Sequence, residues 1–142
     1  MSVIASAQAD ALRRLLHAAV TGIGESMAAV VTDDVVGWSP NLAVTSRADL
    51  VAALDPGGDS FDDVAIQIRA LDQIGDKAFA EWYVAAQHTG PLVVDDDLVI
   101  APTGRRLHLS GATVAEFDGD RICAFRSYFD DLALVEQALV ED

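Results

Sequence analysis

Several features that would point directly to one chemistry are missing from this sequence of 142 residues. A single cysteine, Cys123, cannot form an internal disulfide, so a disulfide-stapled scaffold is excluded. Only 9 residues are Lys or Arg against 23 Asp or Glu, and the formal charge of −14 repels phosphate backbones and anionic headgroups. We therefore expect neither nucleic acid nor a membrane among the partners of this protein.

Signals for targeting, membrane insertion and metal binding are also missing. No apolar run approaches the roughly 20 residues that span a bilayer, and the first residues lack the basic start of a signal peptide. The three histidines, His17, His88 and His108, lie on separate predicted elements without metal-ligand spacing. We expect a cytoplasmic protein that uses neither a metal nor another cofactor.

The composition that is present favours one folded domain. Apolar residues make up 51% of the chain, and a chain of this length buries enough surface to form a core without a staple. No linker, repeat or low-complexity tract divides the sequence, so residues 1–142 are expected to form a single domain.

The first part of the chain has helical periodicity. Apolar residues recur at three- and four-residue spacing over residues 12–23, and a short second helix is predicted around Glu25 to Val31. A brief strand, Val35 to Trp38, then ends at a Ser-Pro-Asn turn. Ser46, three residues before Asp49, resembles a capping box and begins a third helix, which an Asp-Pro-Gly-Gly run ends.

The second part of the chain alternates apolar and polar residues with the period of β-strands. Hairpin turns are predicted at residues 74–77 and 118–120, and an acidic loop at residues 95–97. Predicted strands cover residues 64–70, 78–89, 106–117 and 122–128, and a helix over residues 132–139 follows them. Helices followed by strands indicate an α+β fold with N-terminal helices packed on a curved, mostly antiparallel sheet.

Three stretches of the sequence, in this order, carry a family resemblance. They are Glu81-Trp82 leading to His88-Thr89-Gly90-Pro91, then Pro102-Thr103-Gly104-Arg105, then the segment from Glu116 to Asp130. Together they resemble the SnoaL-like polyketide cyclase branch of the nuclear-transport-factor-2-like (NTF2-like) superfamily. The resemblance covers nearly the whole chain and implies the cone-shaped NTF2-like fold. It does not settle the activity, because the superfamily includes cyclases, isomerases, epoxide hydrolases and non-catalytic binding modules.

The resemblance implies a catalytic role for two residues. Asp130 follows the aromatic pair of the last strand, where the cyclases place an acid/base carboxylate, and an apolar cone mouth would suit it to proton transfer. The alternative is that Asp130 caps the last helix. His88 shares a strand face with Trp82 by two-residue alternation and would support the substrate with a hydrogen bond. The alternative is a structural histidine bonded to a neighbouring carbonyl.

Substrate contacts are predicted for six side chains, three of them aromatic. Three of them would shape an apolar cavity for a flat ligand, although most aromatics in a small domain are core. Arg126 could bind a substrate oxygen or pair with one of the many acids, and the remaining two have turn and core-packing alternatives. The predicted contacts are Met27, Trp38, Asn41, Trp82, Arg126 and Tyr128.

Two activities of the superfamily are disfavoured by departures from its patterns. Ser39 precedes Pro40, where the ketosteroid isomerases of this fold have their aspartate base. Arg126 is followed by Ser127 and Tyr128, which do not supply the Arg-x-Asp of the epoxide hydrolases.

Two functions of different classes therefore remain. The first is a cofactor-independent enzyme, resembling SnoaL-like cyclases or isomerases, that performs acid/base chemistry on a hydrophobic, oxygenated and uncharged substrate. The second is a non-catalytic ligand-binding or assembly module, in which Asp130 bonds only to helix amides. Both allow a homodimer, because Phe79, Tyr83 and Ala85 lie on the strand face opposite Trp82 and would form an apolar patch.

Overall fold

A computed structural model of the protein describes residues 6–21, 25–40, 42–54, 61–95 and 97–139. In these residues the helices are α1 (Ser6–Thr21), α2 (Glu25–Ala28), α3 (Arg47–Leu54) and α4 (Asp131–Leu139). The strands are β1 (Val31–Ser39), β2 (Leu42–Val44), β3 (Phe61–Ile74), β4 (Lys77–His88), β5 (Leu92–Asp95), β6 (Leu98–Ile100), β7 (Arg106–Asp118) and β8 (Arg121–Phe129). The predicted α+β class is confirmed.

Six of the strands form one curved sheet in the order β2-β1-β8-β7-β4-β3. Neighbouring strands are antiparallel except for β1 and β8, which run parallel. Through this pair, the first long strand of the chain lies beside the last. The short strands β5 and β6 form a separate hairpin. The long strand β3 lies at one edge of the sheet, where its outer side has no strand partner among the described residues.

Local sequence signals explain how the long strands are joined. Gly75 and Gly119 have φ values of 62° and 64° at the tips of the β3–β4 and β7–β8 hairpins, in the left-handed region that glycine adopts without strain. The predicted cap of α3 is also present, because Oγ of Ser46 accepts a hydrogen bond of 3.1 Å from the amide of Asp49.

One face of the sheet, called the covered face below, packs against the helices. Alternate β4 residues from Ala78 to His88 point to this side and are buried. Those from Ala78 to Val84 join one hydrophobic cluster with α1 residues such as Leu12, which is fully buried. Burying one leucine side chain contributes roughly 1.5–3 kcal/mol, so this cluster is the main source of stability. The opposite face is called the outer face.

The structure corrects several predicted boundaries. The second helix ends at Ala28, and Val31 belongs to β1, where it pairs with Ile122 of β8. β-Branched residues fit a half-buried strand better than a helix end, which accounts for the difference. Prediction also missed the three-residue strands β2 and β6 and the four-residue β5, because such short segments carry no readable period.

Candidate functional site

Trp82 lies on the covered face and is held by a hydrogen bond to β7, which a side chain of β8 extends. Its indole Nε1 donates a hydrogen bond of 3.0 Å to Oγ1 of Thr113, which lies 2.8 Å from Oγ of Ser127. The ring passes over Gly111, where an added Cβ would lie 2.6 Å from Cη2 of Trp82. Trp82 is therefore a fixed part of the core, with its polar atom satisfied.

His88 is fully buried at the end of β4 and holds the segment that precedes β7. Its Nδ1 lies 3.0 Å from Oγ1 of Thr103 and accepts a hydrogen bond of 3.3 Å from the Thr103 amide. The backbone of His88 also bonds to the carbonyl of Arg105 and the amide of Gly104. These contacts join the predicted His-Thr-Gly and Pro-Thr-Gly-Arg stretches.

The second ring nitrogen of His88 has no such partner. Because Nδ1 accepts a hydrogen bond, the proton of the neutral ring lies on Nε2, which is buried and makes no hydrogen bond in the described part of the chain. Burial lowers the pKa of His88, and the carbonyl of Gly90 raises this pKa by a smaller amount. The imidazole is therefore neutral near pH 7.

Asp130 lies on the surface, between β8 and α4. Its Oδ1 accepts hydrogen bonds of 3.1 and 3.3 Å from the amides of Leu132 and Ala133. This is the geometry of a helix N-cap, the structural alternative to a catalytic role. Among the described residues, the buried polar side chains are Ser39, His88 and Thr113, and none of these is a carboxylate.

Three predicted substrate contacts lie on the outer face of the sheet. Trp38 and Tyr128 contact each other with ring centroids 5.4 Å apart, and Arg126 donates a hydrogen bond of 3.4 Å to Glu116. Trp82 lies on the covered face, so the expectation that Trp38 and Tyr128 share a cavity with it is not met. The reason is the two-residue alternation along β1 and β8, which turns these side chains away from the helices.

The other predicted contacts are placed differently. Met27 is fully buried in the main hydrophobic cluster, the core-packing alternative. Asn41 lies outside the described residues. The predicted outer patch is smaller than expected, because Ala85 is buried and the ring of Tyr83 lies 4.6 Å beneath the guanidinium of Arg69.

A groove that the sequence did not predict runs between α1 and the edge strand β3. It has a volume of about 510 Å³ and is lined, among the described residues, by Arg13, Arg14, His17, Ile66 and Ile68. Both arginines lie within the helix predicted over residues 12–23, and helical periodicity alone assigns them no further role. Two features of the sequence could have indicated the groove. Residues 13, 14 and 17 share the exposed side of α1, and two of the only 9 Lys and Arg in the chain lie there.

Two further observations concern what the described residues do not contain. No three His, Cys, Asp or Glu side chains among them lie close enough to hold a metal ion. No helix in the same residues is long and apolar enough to cross a membrane.

Comparison with known proteins adds family and fold. The model of the SnoaL-like domain family matches residues 12–125. Among solved structures, a proposed polyketide cyclase from Acidithiobacillus ferrooxidans is similar with a TM-score of 0.78 at 21% identity, over 96% of each chain. AclR from Streptomyces galilaeus, a proposed hydroxylase, has a TM-score of 0.74 at 18% identity, over 92% of this chain and 94% of its own.

An LEH-like epoxide hydrolase from M. tuberculosis is similar with a TM-score of 0.67 at 17% identity, over 94% of this chain and 90% of its own. No curated protein matches the sequence. The shared architecture is the NTF2-like α+β cone, which places this chain in that structural class. Because the family match spans most of the sequence, the chain belongs to the SnoaL-like domain family. The activities of the similar structures differ, so the fold alone does not transfer one of them.

Proposed function

We propose that this protein binds a hydrophobic small molecule in the groove between α1 and β3. The observation that carries the proposal is the groove itself, whose volume of about 510 Å³ falls within the ~300–1,000 Å³ usual for ligand pockets. Ile66 and Ile68 form its apolar floor and pack against the main core cluster. A floor fixed in this way is available to a ligand without rearrangement of the sheet.

The surroundings of Asp130 support binding rather than carboxylate catalysis. Its Oδ1 is used by the amides of α4, outside the groove lined by α1 and β3. A ligand-binding module needs no acid/base carboxylate, so the assignment of Asp130 as a cap fits this function.

Binding of the neutral fluorophore Nile red, measured by its fluorescence increase, tests the proposal. Ile66→Trp fills the floor of the groove and should weaken binding at least about tenfold, because the bulky ring displaces the ligand. Ile74→Trp is the matched control, since Ile74 lies at the exposed end of the same strand. Circular dichroism verifies that both variants are folded. Equal Nile red affinity in Ile66→Trp and wild type would show that the groove is not the binding site.

A second candidate is a cofactor-independent cyclase or isomerase with Asp130 as its acid/base group and His88 as a polar support for the substrate. The observation that favours it is Nε2 of His88, a buried donor on a neutral ring that makes no hydrogen bond of normal geometry within the described residues. Asp130→Asn provides the test, because asparagine also caps helices but cannot transfer the proton. Loss of turnover of a cyclising polyketone by this variant, at unchanged stability, would support the enzyme over the binding module.

We also propose that the outer face pairs two copies of the chain. Val36, Trp38 and Tyr128 are 52%, 43% and 49% exposed there, which leaves apolar surface in water. Light scattering should give twice the 15.0 kDa chain mass, and Trp38→Glu should reduce it to one chain. Val99→Glu, at an exposed residue of β6, is the control. A wild-type mass of one chain would contradict the dimer.

A further inference from the structure

We infer that the ligand of the α1–β3 groove is an amphipathic organic acid, whose carboxylate contacts Arg13 and Arg14 while its apolar part covers Ile66 and Ile68. The inference rests on the proposed binding function and specifies the chemistry of its ligand. It differs from the uncharged ligand expected from composition, because the local charge at the groove is opposite to that of the whole chain.

Two guanidinium groups at one groove are unusual in this protein. The sequence has 9 Lys and Arg against 23 Asp and Glu, and the arginines of the strands are largely engaged. Arg106 pairs with Asp63, for example, and Arg126 with Glu116. Arg13, in contrast, is exposed and makes no ion pair with any residue in the described part of the chain. Its charge is therefore available to a ligand.

Arg14 is only weakly committed to its neighbour. It forms an ion pair of 3.0 Å with Asp10 one turn earlier, but the two side chains are 52% and 58% exposed. Exposed pairs of this kind contribute little, since water and salt screen them. A ligand carboxylate can compete for this guanidinium, and two guanidinium groups together can hold a carboxylate through paired, charge-assisted hydrogen bonds.

The apolar floor beneath the arginines adds a second requirement. Ile66 and Ile68 are half-buried and line the same groove, so a small inorganic anion would leave their surface in water. A ligand that carries hydrocarbon covers this surface and gains the free energy of apolar burial. The combination of cationic rim and apolar floor thus selects an acid with an apolar body.

The helix that carries the arginines is fixed to the sheet near its start. Nε2 of Gln73 donates a hydrogen bond of 2.7 Å to Oε1 of Gln8, and Nε2 of Gln8 donates one of 3.0 Å to the carbonyl of Gly119. These bonds anchor α1 to β3 and to the β7–β8 turn. The cationic side chains therefore project from a helix whose position over β3 is already set, which limits the entropy lost on binding.

The net negative charge of the chain does not prevent an organic acid from binding at the groove. At physiological ionic strength the Debye length is about 8 Å, so distant surface acids are largely screened from a bound ligand. The nearest cations dominate the interaction. For the same reason, octanoate affinity should fall as salt is added, whereas the affinity for an uncharged analogue should not.

Calorimetric titration with octanoate and 1-octanol tests the inference, because the two probes share a chain length and differ in charge. Wild type should bind octanoate at least about threefold more tightly than 1-octanol, because each exposed guanidinium adds a small charge-assisted contribution for the carboxylate alone. The double variant Arg13→Gln/Arg14→Gln should lose this preference, because its affinity for octanoate falls toward its affinity for 1-octanol. Arg121→Gln is the matched control, at another exposed arginine, which begins β8.

Equal affinity for the two probes, absence of octanoate binding, or a preference that survives in the double variant would each overturn the inference. None of these results affects the Nile red test. The binding function fails separately, if Ile66→Trp leaves Nile red affinity unchanged.

Discussion

The indole of Trp82 and the hydroxyl of Thr113 form a buried pair that links β4 to β7. The two atoms, Nε1 and Oγ1, are 3.0 Å apart, and Thr113 is fully buried. Oγ of Ser127 on β8 extends this hydrogen bonding, because it lies 2.8 Å from Oγ1 of Thr113. The covered face is therefore joined across three strands by side-chain hydrogen bonds as well as by its backbone ladders.

Replacement of Thr113 should show the value of this pair. Thr113→Val preserves shape but leaves Nε1 of Trp82 buried without an acceptor, which should lower the free energy of unfolding by about 1–3 kcal/mol. Urea denaturation measures the change. Thr113→Ser keeps the hydroxyl and should be destabilised only through loss of a methyl group. If valine were as well tolerated as serine, the hydrogen bond would contribute nothing.

Gly111 should tolerate no side chain. A Cβ there would lie 2.6 Å from Cη2 of Trp82 and 2.8 Å from the carbonyl oxygen of Tyr128, and the backbone contact cannot be relieved by a rotamer change. Gly111→Ala should therefore lower the free energy of unfolding by about 1–3 kcal/mol. Ser110→Ala, on the adjacent exposed residue, is the control and should be nearly neutral. Thermal denaturation that does not separate these variants would contradict the predicted clash.

The stability of the protein should depend on pH through His88. Burial lowers the pKa of His88 in the folded state below the ordinary value of about 6.5, so the unfolded chain binds more protons in this range. The stabilisation is complete above about pH 6.5 and is lost as the pH falls toward the folded pKa.

Urea unfolding of wild type and His88→Gln at pH 7.5, 6.5 and 5.5 measures this effect. Glutamine does not titrate, so the stability difference between the two proteins should shrink as the pH falls. Parallel pH profiles would show that His88 does not carry the dependence.

Asp130 should contribute to stability as a cap. Asp130→Ala removes the acceptor for the amides of Leu132 and Ala133, and should cost about 1 kcal/mol. Asp130→Asn should retain most of the stability, because asparagine caps comparably well. Octanoate affinity should be unchanged in both, since the groove is lined by α1 and β3. Equal destabilisation by alanine and asparagine would show that the carboxylate charge, rather than capping, matters here.

The fold was predictable from the sequence wherever a long segment of alternating apolar and polar residues ended at turn residues. The four long strands, the Gly75 and Gly119 turns and the Ser46 cap are present as expected. The family resemblance was confirmed by the match over residues 12–125. Periodicity succeeds in such segments because burial on one side of a strand repeats every second residue.

The site was harder to predict, because it depends on which elements meet. Two-residue alternation predicts which side chains of one strand share a face with Trp38 or with Trp82. It does not predict whether those two faces lie on the same side of the sheet. The parallel pairing of β1 with β8, which puts Trp38 beside Arg126, determines this. The groove needs the contact between α1 and the distant edge strand β3, and no local pattern around Arg13 contains that contact.

The pairing of β1 with β8 also has a consequence for how the chain acquires its structure. Val31 and Ile122 are neighbours in the sheet, although almost the whole strand region separates them in sequence. During synthesis from the N-terminus, β1 and its partner β2 cannot join the rest of the sheet until the final long strand, β8, has emerged. Contacts of such long sequence separation slow folding, so completion of this sheet is a late event rather than a stepwise addition of hairpins.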